Sequence, residues 1–171
     1  MIFVTVGTHP QSFNRLLKAI DTLIENGKIK EEVVMQIGHS TYEPKNARWF
    51  RFTDYKEIEK LNKEARLIIS HGGAGCILTA LSFDKFVIAV PRLKKFGEHT
   101  DNHQLDLVRV LEAEGKVIGV YNIKDLEKSL KTKKKIKTQR SKKLLKKIKT
   151  YLSKLSREYI SACNKTKQRI F

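Results

Sequence analysis

The sequence predicts an α/β protein with an open, mostly parallel sheet, and three observations carry the prediction. Short apolar runs of strand length recur along the first 120 residues, most of them β-branched and nearly continuous. Segments with helical periodicity lie between most of these runs, and polar, glycine-bearing stretches follow several of them. Continuous apolar runs are the mark of strands buried on both faces of a parallel sheet. Strand–helix alternation of this kind closes into one sheet through right-handed crossovers. The expected body is one Rossmann-like domain, with its ligand beyond the carboxyl ends of the strands, where strand order reverses.

Taken in order, the strands fall at 2–6 (IFVTV), 32–37 (EVVMQI), 48–52 (RWFRF), 66–70 (RLIIS), 86–90 (FVIAV) and 116–120 (KVIGV). The first helix follows Ser12, which has N-cap chemistry, buries Phe13, Leu16, Leu17, Ile20, Leu23 and Ile24, and ends at Gly27. Further helices are predicted from Lys56 to Glu64, Ile77 to Phe83 and Leu105 to Ala113, the last with Gly115 beyond it. The connection GHSTYEPKNA, between the second and third strands, has no long helix.

A chain of 171 residues suits one domain with an appendage. No stretch approaches the roughly 18 uninterrupted apolar residues of a membrane span, and MIFVTVGTHP lacks the basic and cleavage regions of a signal peptide, so the expected location is the cytosol. Cys76 and Cys163 match no metal or disulfide framework and receive no catalytic role. The net charge of +17 is uneven: residues 1–123 carry 17 Lys and Arg against 15 Asp and Glu, residues 124–171 carry 18 against 3. We therefore divide the chain into a Rossmann-like body, 1–123, whose expected ligand is read from its loops, and a basic helical extension, 124–171. In the latter, Leu145, Ile148, Leu152, Leu155 and Tyr159 form an apolar stripe among lysines. Such a helix can meet an anionic membrane, dock a partner or pack on its own domain.

Two loops carry the chemistry. SHGGAGCILTA, 70–80, is a strand–loop–helix unit in which Gly72, Gly73 and Gly75 let the backbone turn tightly and approach a ligand. Amides at the helix start suit a phosphate or diphosphate; close helix–strand packing is the other reading of the glycines. It is neither a G-x-G-x-x-G fingerprint nor a Walker loop. VPRLKKFGEHTDNHQLDL, 90–107, supplies Arg92, Lys94 and Lys95, then Asn102, His103 and Gln104 at a helix start, where amides and imidazoles can bond sugar hydroxyls. A nucleotide-sugar uses both loops. The five histidines lie in such loops or at their edges, but their spacings match no metal ligand set, and no metal is expected.

VTVGTHPQSFNRLLKAI, VVMQIGHSTYEP, SHGGAGCILTAL and VIAVPRLKKFGEHTDNHQLDL, collinear over residues 1–123, resemble the glycosyltransferase family 28 C-terminal domain. More narrowly they are similar to its stand-alone half-enzymes, typified by the cytosolic catalytic subunit of the two-part UDP-N-acetylglucosamine transferase and by bacterial exopolysaccharide subunits. The resemblance implies a GT-B C-terminal lobe that binds a UDP-sugar (UDP-GlcNAc or a similar hexose) and needs no cofactor beyond that donor substrate. It also implies a membrane-anchored partner subunit supplying the acceptor lobe, and a lipid-linked acceptor at the cytosolic membrane face. Carried over by residue, it implies diphosphate contact at Gly72, Gly73, Ala74 and Gly75, with His71 before them. Donor-sugar contact falls at Gln104 and Asn102, and a cleft-facing first loop at Gly7 and Thr8. Arg92 is expected to help stabilise the leaving diphosphate. The base is unassigned, with His9, Glu98 and His99 as candidates. Where many relatives carry an acid that binds the ribose, this chain has Thr79, a weaker acceptor for which Glu98 or Asp101 would have to compensate. Two other readings stand beside this one. A partner-stabilising subunit without catalysis is one. A nucleic-acid binder is the other, and against it the aromatics are not interleaved with the tail lysines as stacking platforms would require.

Overall fold

In the computed structural model residues 1–132 are described, all within the first of the chain's two units, Met1–Thr138. The lysine-flanked stripe from Leu145 to Tyr159 and Cys163 lie outside the described residues.

All six predicted strands form: β1 (Ile2–Thr5), β2 (Val33–Gln36), β3 (Arg48–Phe50), β4 (Leu67–Ser70), β5 (Phe86–Ala89) and β6 (Ile118–Gly119). They make one wholly parallel sheet in the order β3-β2-β1-β4-β5-β6. The order reverses between β1 and β4, so the crevice for a ligand lies above those two strands. β1, β2 and β4 are buried throughout, as continuous apolar runs require. β3 is an edge strand, and Arg48 and Trp49 on it are exposed.

The helices are α1 (Asn14–Glu25), α2 (Tyr55–Glu64), α3 (Ala74–Ser82), α4 (His103–Ala113) and α5 (Leu126–Leu130). On one face of the sheet Ile2, Val4 and Val6 pack with Phe13, Leu16, Leu17 and Ile20; each such buried aliphatic side chain contributes about 1.5–3 kcal/mol. The alternate residues Phe3, Ile68 and Val87 are equally buried and point to the opposite face, and α3 packs on β4 and β5. Two predicted helices begin earlier than their apolar periodicity suggests. α3 starts at Ala74 and α4 at His103, which brings the glycine loop and Asn102 directly onto helix N-termini.

Ser12 is not the cap of α1. That position is Phe13, whose N–H donates to Ser40 Oγ at 3.1 Å, while Ser12 donates to the His39 carbonyl. Gly27 (φ +64°) does close α1, and Asp54 caps α2 by accepting from Glu57 N at 2.8 Å. The loop between β2 and β3 has no helix and is held by buried Asp21, which accepts from the Tyr42 hydroxyl (2.6 Å) and from the N–H groups of Lys45 and Asn46. Burial pushes the Asp21 carboxyl up, but these hydrogen bonds outweigh it and hold the pKa below the usual value. Beyond residue 123, where the basic extension was expected to begin, Leu126 is fully buried in the same core cluster as Val120, and Leu130 packs against that cluster. The body's core therefore runs on through α5.

Candidate functional site

The three central strands end in a polar row. Pairing sets Thr5 level with Gln36 on one side and Ser70 on the other. Thr5 Oγ1 donates to Gln36 Oε1 at 2.5 Å, and the Gln36 amide straddles Gly7, accepting from its N–H at 3.2 Å and donating to its carbonyl at 3.0 Å. Gln36 thus fixes the first loop. Sequence reading missed it; the signal was a polar residue closing an otherwise apolar strand.

His71 sits at the centre of the crevice, buried, with its ring between two glycines. A Cβ on Gly7 would stand 2.6 Å from Cε1 of the ring, and a Cβ on Gly73 would stand 2.3 Å from its Nε2. Nδ1 lies 3.2 Å from the Thr5 carbonyl, which can only accept, so Nδ1 carries the proton and Nε2 is the free lone pair. Burial first, then the Arg92 cation, pushes the pKa down to about 3. The imidazole is therefore a neutral spacer holding the first loop against the glycine loop.

The glycines divide by what surrounds them. Gly72 has φ +88° and lies against Pro91, and Gly73 makes room for His71. These two serve the protein's own packing. Gly75, in the first turn of α3, has no positive φ, and a Cβ there would meet nothing within 4 Å. A glycine inside a helix costs about 0.5–1 kcal/mol relative to alanine, and nothing in the fold requires it. The same helix start has no side-chain cap at Gly73, so its first amides and the positive end of the helix dipole face an open corner.

The loop between β5 and α4 is built differently. Arg92 was expected to reach the donor diphosphate; instead it is 1% exposed. Its guanidinium donates to the carbonyls of Gln11 (2.6 Å), Val6 (2.9 Å) and Glu98 (3.1 Å) and lies 4.9 Å from the Phe13 ring centroid. Burial lowers its pKa to about 10, a tendency the Glu98 carboxylate opposes, so it stays charged at neutral pH. Glu98, a candidate base, is also buried. It binds Arg15 through both oxygens at 2.8 Å and accepts from Leu93 N. Arg15, 83 residues away in sequence, carried no local signal. Arg92 and Glu98 are braces, not reactive groups: the one is spent on backbone carbonyls and the other on Arg15 and the Leu93 N–H.

Asn102 Oδ1 accepts from Lys94 N and Gln104 Oε1 from Arg92 N, both at 3.2 Å. Each amide is thereby fixed at its oxygen end, with its NH2 group available as a donor. Thr8 is exposed at the rim. His9 and His99 stack with ring centroids 4.3 Å apart. Each closes its own turn through Nδ1, which accepts from Gln11 N (3.3 Å) and Asp101 N (3.2 Å) respectively, so that the Nε2 N–H of the neutral ring is the donor left for a ligand. Burial, then His99 and Arg92, lower the His9 pKa. His39 is exposed and meets Phe52 edge-on, apart from this group. Among the described residues no three His, Cys, Asp or Glu side chains gather as a metal ion would need, and no helix is long and apolar enough to cross a membrane.

The sequence model of the glycosyltransferase family 28 C-terminal domain matches residues 1–161. The UDP-N-acetylglucosamine transferase subunit ALG13 of Homo sapiens is 33% identical over 123 residues, 67% of this chain, and that of Mus musculus is 34% identical over 125. The chain spans about a tenth (10%) of the length of these curated relatives. Among solved structures, the Methanocaldococcus jannaschii UDP-GlcNAc 2-epimerase, in complex with UDP-GlcNAc and UDP, aligns with a TM-score of 0.57 at 18% identity, over 88% of this chain and 45% of its own. MurG of Acinetobacter baumannii aligns at 0.52 and 17%, over 74% and 39%. At such identities these two show a shared fold alone.

Proposed function

The chain belongs to the glycosyltransferase family 28 C-terminal domain, and from that premise we propose that it is the donor-binding part of a two-part UDP-sugar-dependent transferase. The observation that carries the reading is the open corner at Gly75, beside an uncapped helix start and at the strand-order reversal. The amides of Ala74, Gly75 and the next residues hold the donor diphosphate and stabilise it as it leaves, with no metal required. The NH2 groups of Asn102 and Gln104 take sugar hydroxyls, and Gly7 and Thr8 line the entrance. Arg92 contributes by holding three loop carbonyls in place, not by touching the donor. The names of the mammalian relatives support N-acetylglucosamine as the sugar and a second subunit as the partner.

The acceptor lobe then comes from a membrane-anchored partner, the acceptor is lipid-linked, and the chain works at the cytosolic face, with its basic extension on the anionic leaflet. Because Nδ1 of His9 and of His99 accepts a backbone N–H, Nε2 of each neutral ring carries the proton and serves as a donor, so the base for the acceptor hydroxyl falls to the partner. Since Thr79 stands where relatives bind the ribose with an acid, UDP affinity in this chain rests on the diphosphate.

Isothermal titration with UDP, UDP-GlcNAc, UDP-galactose and UDP-glucuronate tests this. A Gly75→Asp variant separates binding from folding, because an acid in the first turn suits the helix dipole while it repels a diphosphate. The expected result is UDP-GlcNAc binding that Gly75→Asp weakens by more than about ten-fold, or about 1.4 kcal/mol, with the melting temperature kept. Equal affinity in both proteins would refute the site.

A further inference from the structure

We propose that the turn Leu93–Gly97, in the loop between β5 and α4, is a bilayer contact: a knuckle that seats Phe96 at the headgroup boundary of an anionic membrane. It belongs to the folded body and is separate from the basic extension, and it does not depend on the sugar-transfer reading.

Four consecutive residues, Lys94 to Gly97, are exposed, and Phe96 keeps 55% of its surface in solvent. This is not a loose loop. Phe96 N donates to the Leu93 carbonyl (3.1 Å), Gly97 closes the turn at φ +68°, Glu98 Oε2 accepts from Leu93 N, and Asn102 Oδ1 accepts from Lys94 N. The Arg15 guanidinium lies 5.1 Å from the Phe96 ring centroid, on a residue that is itself paired with buried Glu98. The fold thus commits a half-buried ion pair and two backbone clamps to holding an apolar ring outward.

The surroundings of the ring select the partner. Lys94 and Lys95 make no ion pair among the described residues, and Lys95 Nζ stands 5.0 Å from the same ring. An aromatic ring without donors or acceptors, flanked by free cations, matches the boundary between anionic headgroups and acyl chains. The knuckle follows β5, at the carboxyl edge of the sheet, so a membrane meeting it lies beside the crevice.

Trp49 is the one tryptophan of the chain, which makes a site-specific probe possible. In the full-length chain carrying Trp49→Phe and Phe96→Trp, fluorescence is read with phosphatidylcholine vesicles, with vesicles containing phosphatidylglycerol, and with a single-stranded oligonucleotide. The expected result is a blue shift, and quenching by brominated acyl chains, on phosphatidylglycerol vesicles only. A control tryptophan at Val110, exposed on α4, should stay unquenched. Phe96→Ser should lower partitioning to those vesicles by about five-fold or more. Vesicle pelleting with an unchanged probe would assign membrane binding to the extension and overturn the proposal, as would equal quenching at Val110 or a shift on the oligonucleotide alone. UDP titration of the same protein reads the donor site separately.

Discussion

The two loops that border the crevice use opposite means. Between β4 and α3 side chains are removed, so that backbone amides and a dipole face outward. Between β5 and α4 two charged side chains, Arg92 and Glu98, are drawn inward, where with Arg15 from α1 they brace carbonyls and each other. Along the sequence, the glycines of one loop and the charges of the other are equally plausible signals for binding. Only the space around each separates the residues that serve a ligand from those that serve the protein.

The sharpest way to break this contrast is to remove the brace. Arg92→Leu should cost about 3–5 kcal/mol, because the carbonyls of Val6, Gln11 and Glu98 lose a charged donor, and urea denaturation would measure it. A loss under about 1 kcal/mol would contradict the bracing role. Next, Gly73→Ala should cost about 1–3 kcal/mol, since its Cβ would press on a buried ring, with UDP affinity reduced only as the fold yields.

Acid tests the spacer. His71 has a folded pKa of about 3 against 6.5 unfolded, so the unfolded chain binds the extra proton. Its contribution is complete above about pH 6.5 and falls by about 1.4 kcal/mol per pH unit on the way down to about pH 3. Urea melts should be flat between about pH 7.5 and 6.5 and show that slope from there to about pH 5, and His71→Asn should flatten it. The smallest effect is the most telling. Gly75→Ala should stabilise the free protein by about 0.5–1 kcal/mol, the opposite sign from Gly73→Ala two residues earlier.

Much of the fold is legible in the residues alone. Continuous β-branched runs locate most of the strands, because a strand buried on both faces needs no alternation; the exposed edge strand β3, in RWFRF, has no β-branched residue and is marked by its aromatics. The starts of α3 and α4 are harder to place, since apolar periodicity begins only where a helix faces the core, and Ala74 to Cys76 and His103 precede that face. Residue type and position are enough to find the glycine loop and the Asn102–Gln104 segment. The roles of Arg92 and Glu98 are hidden because their partners, Val6, Gln11 and Arg15, are more than 75 residues away along the chain. Gln36 is overlooked because a polar residue inside an apolar strand reads as noise until register sets it level with Thr5.

The central claim is that the opening turn of α3 receives a diphosphate through backbone N–H groups. Proton–nitrogen NMR of the labelled chain, titrated with UDP and separately with uridine, tests it directly. UDP should move the Ala74, Gly75 and Cys76 amides more than any others, and uridine should leave them nearly unmoved. Saturable UDP binding with those three amides unshifted would contradict it.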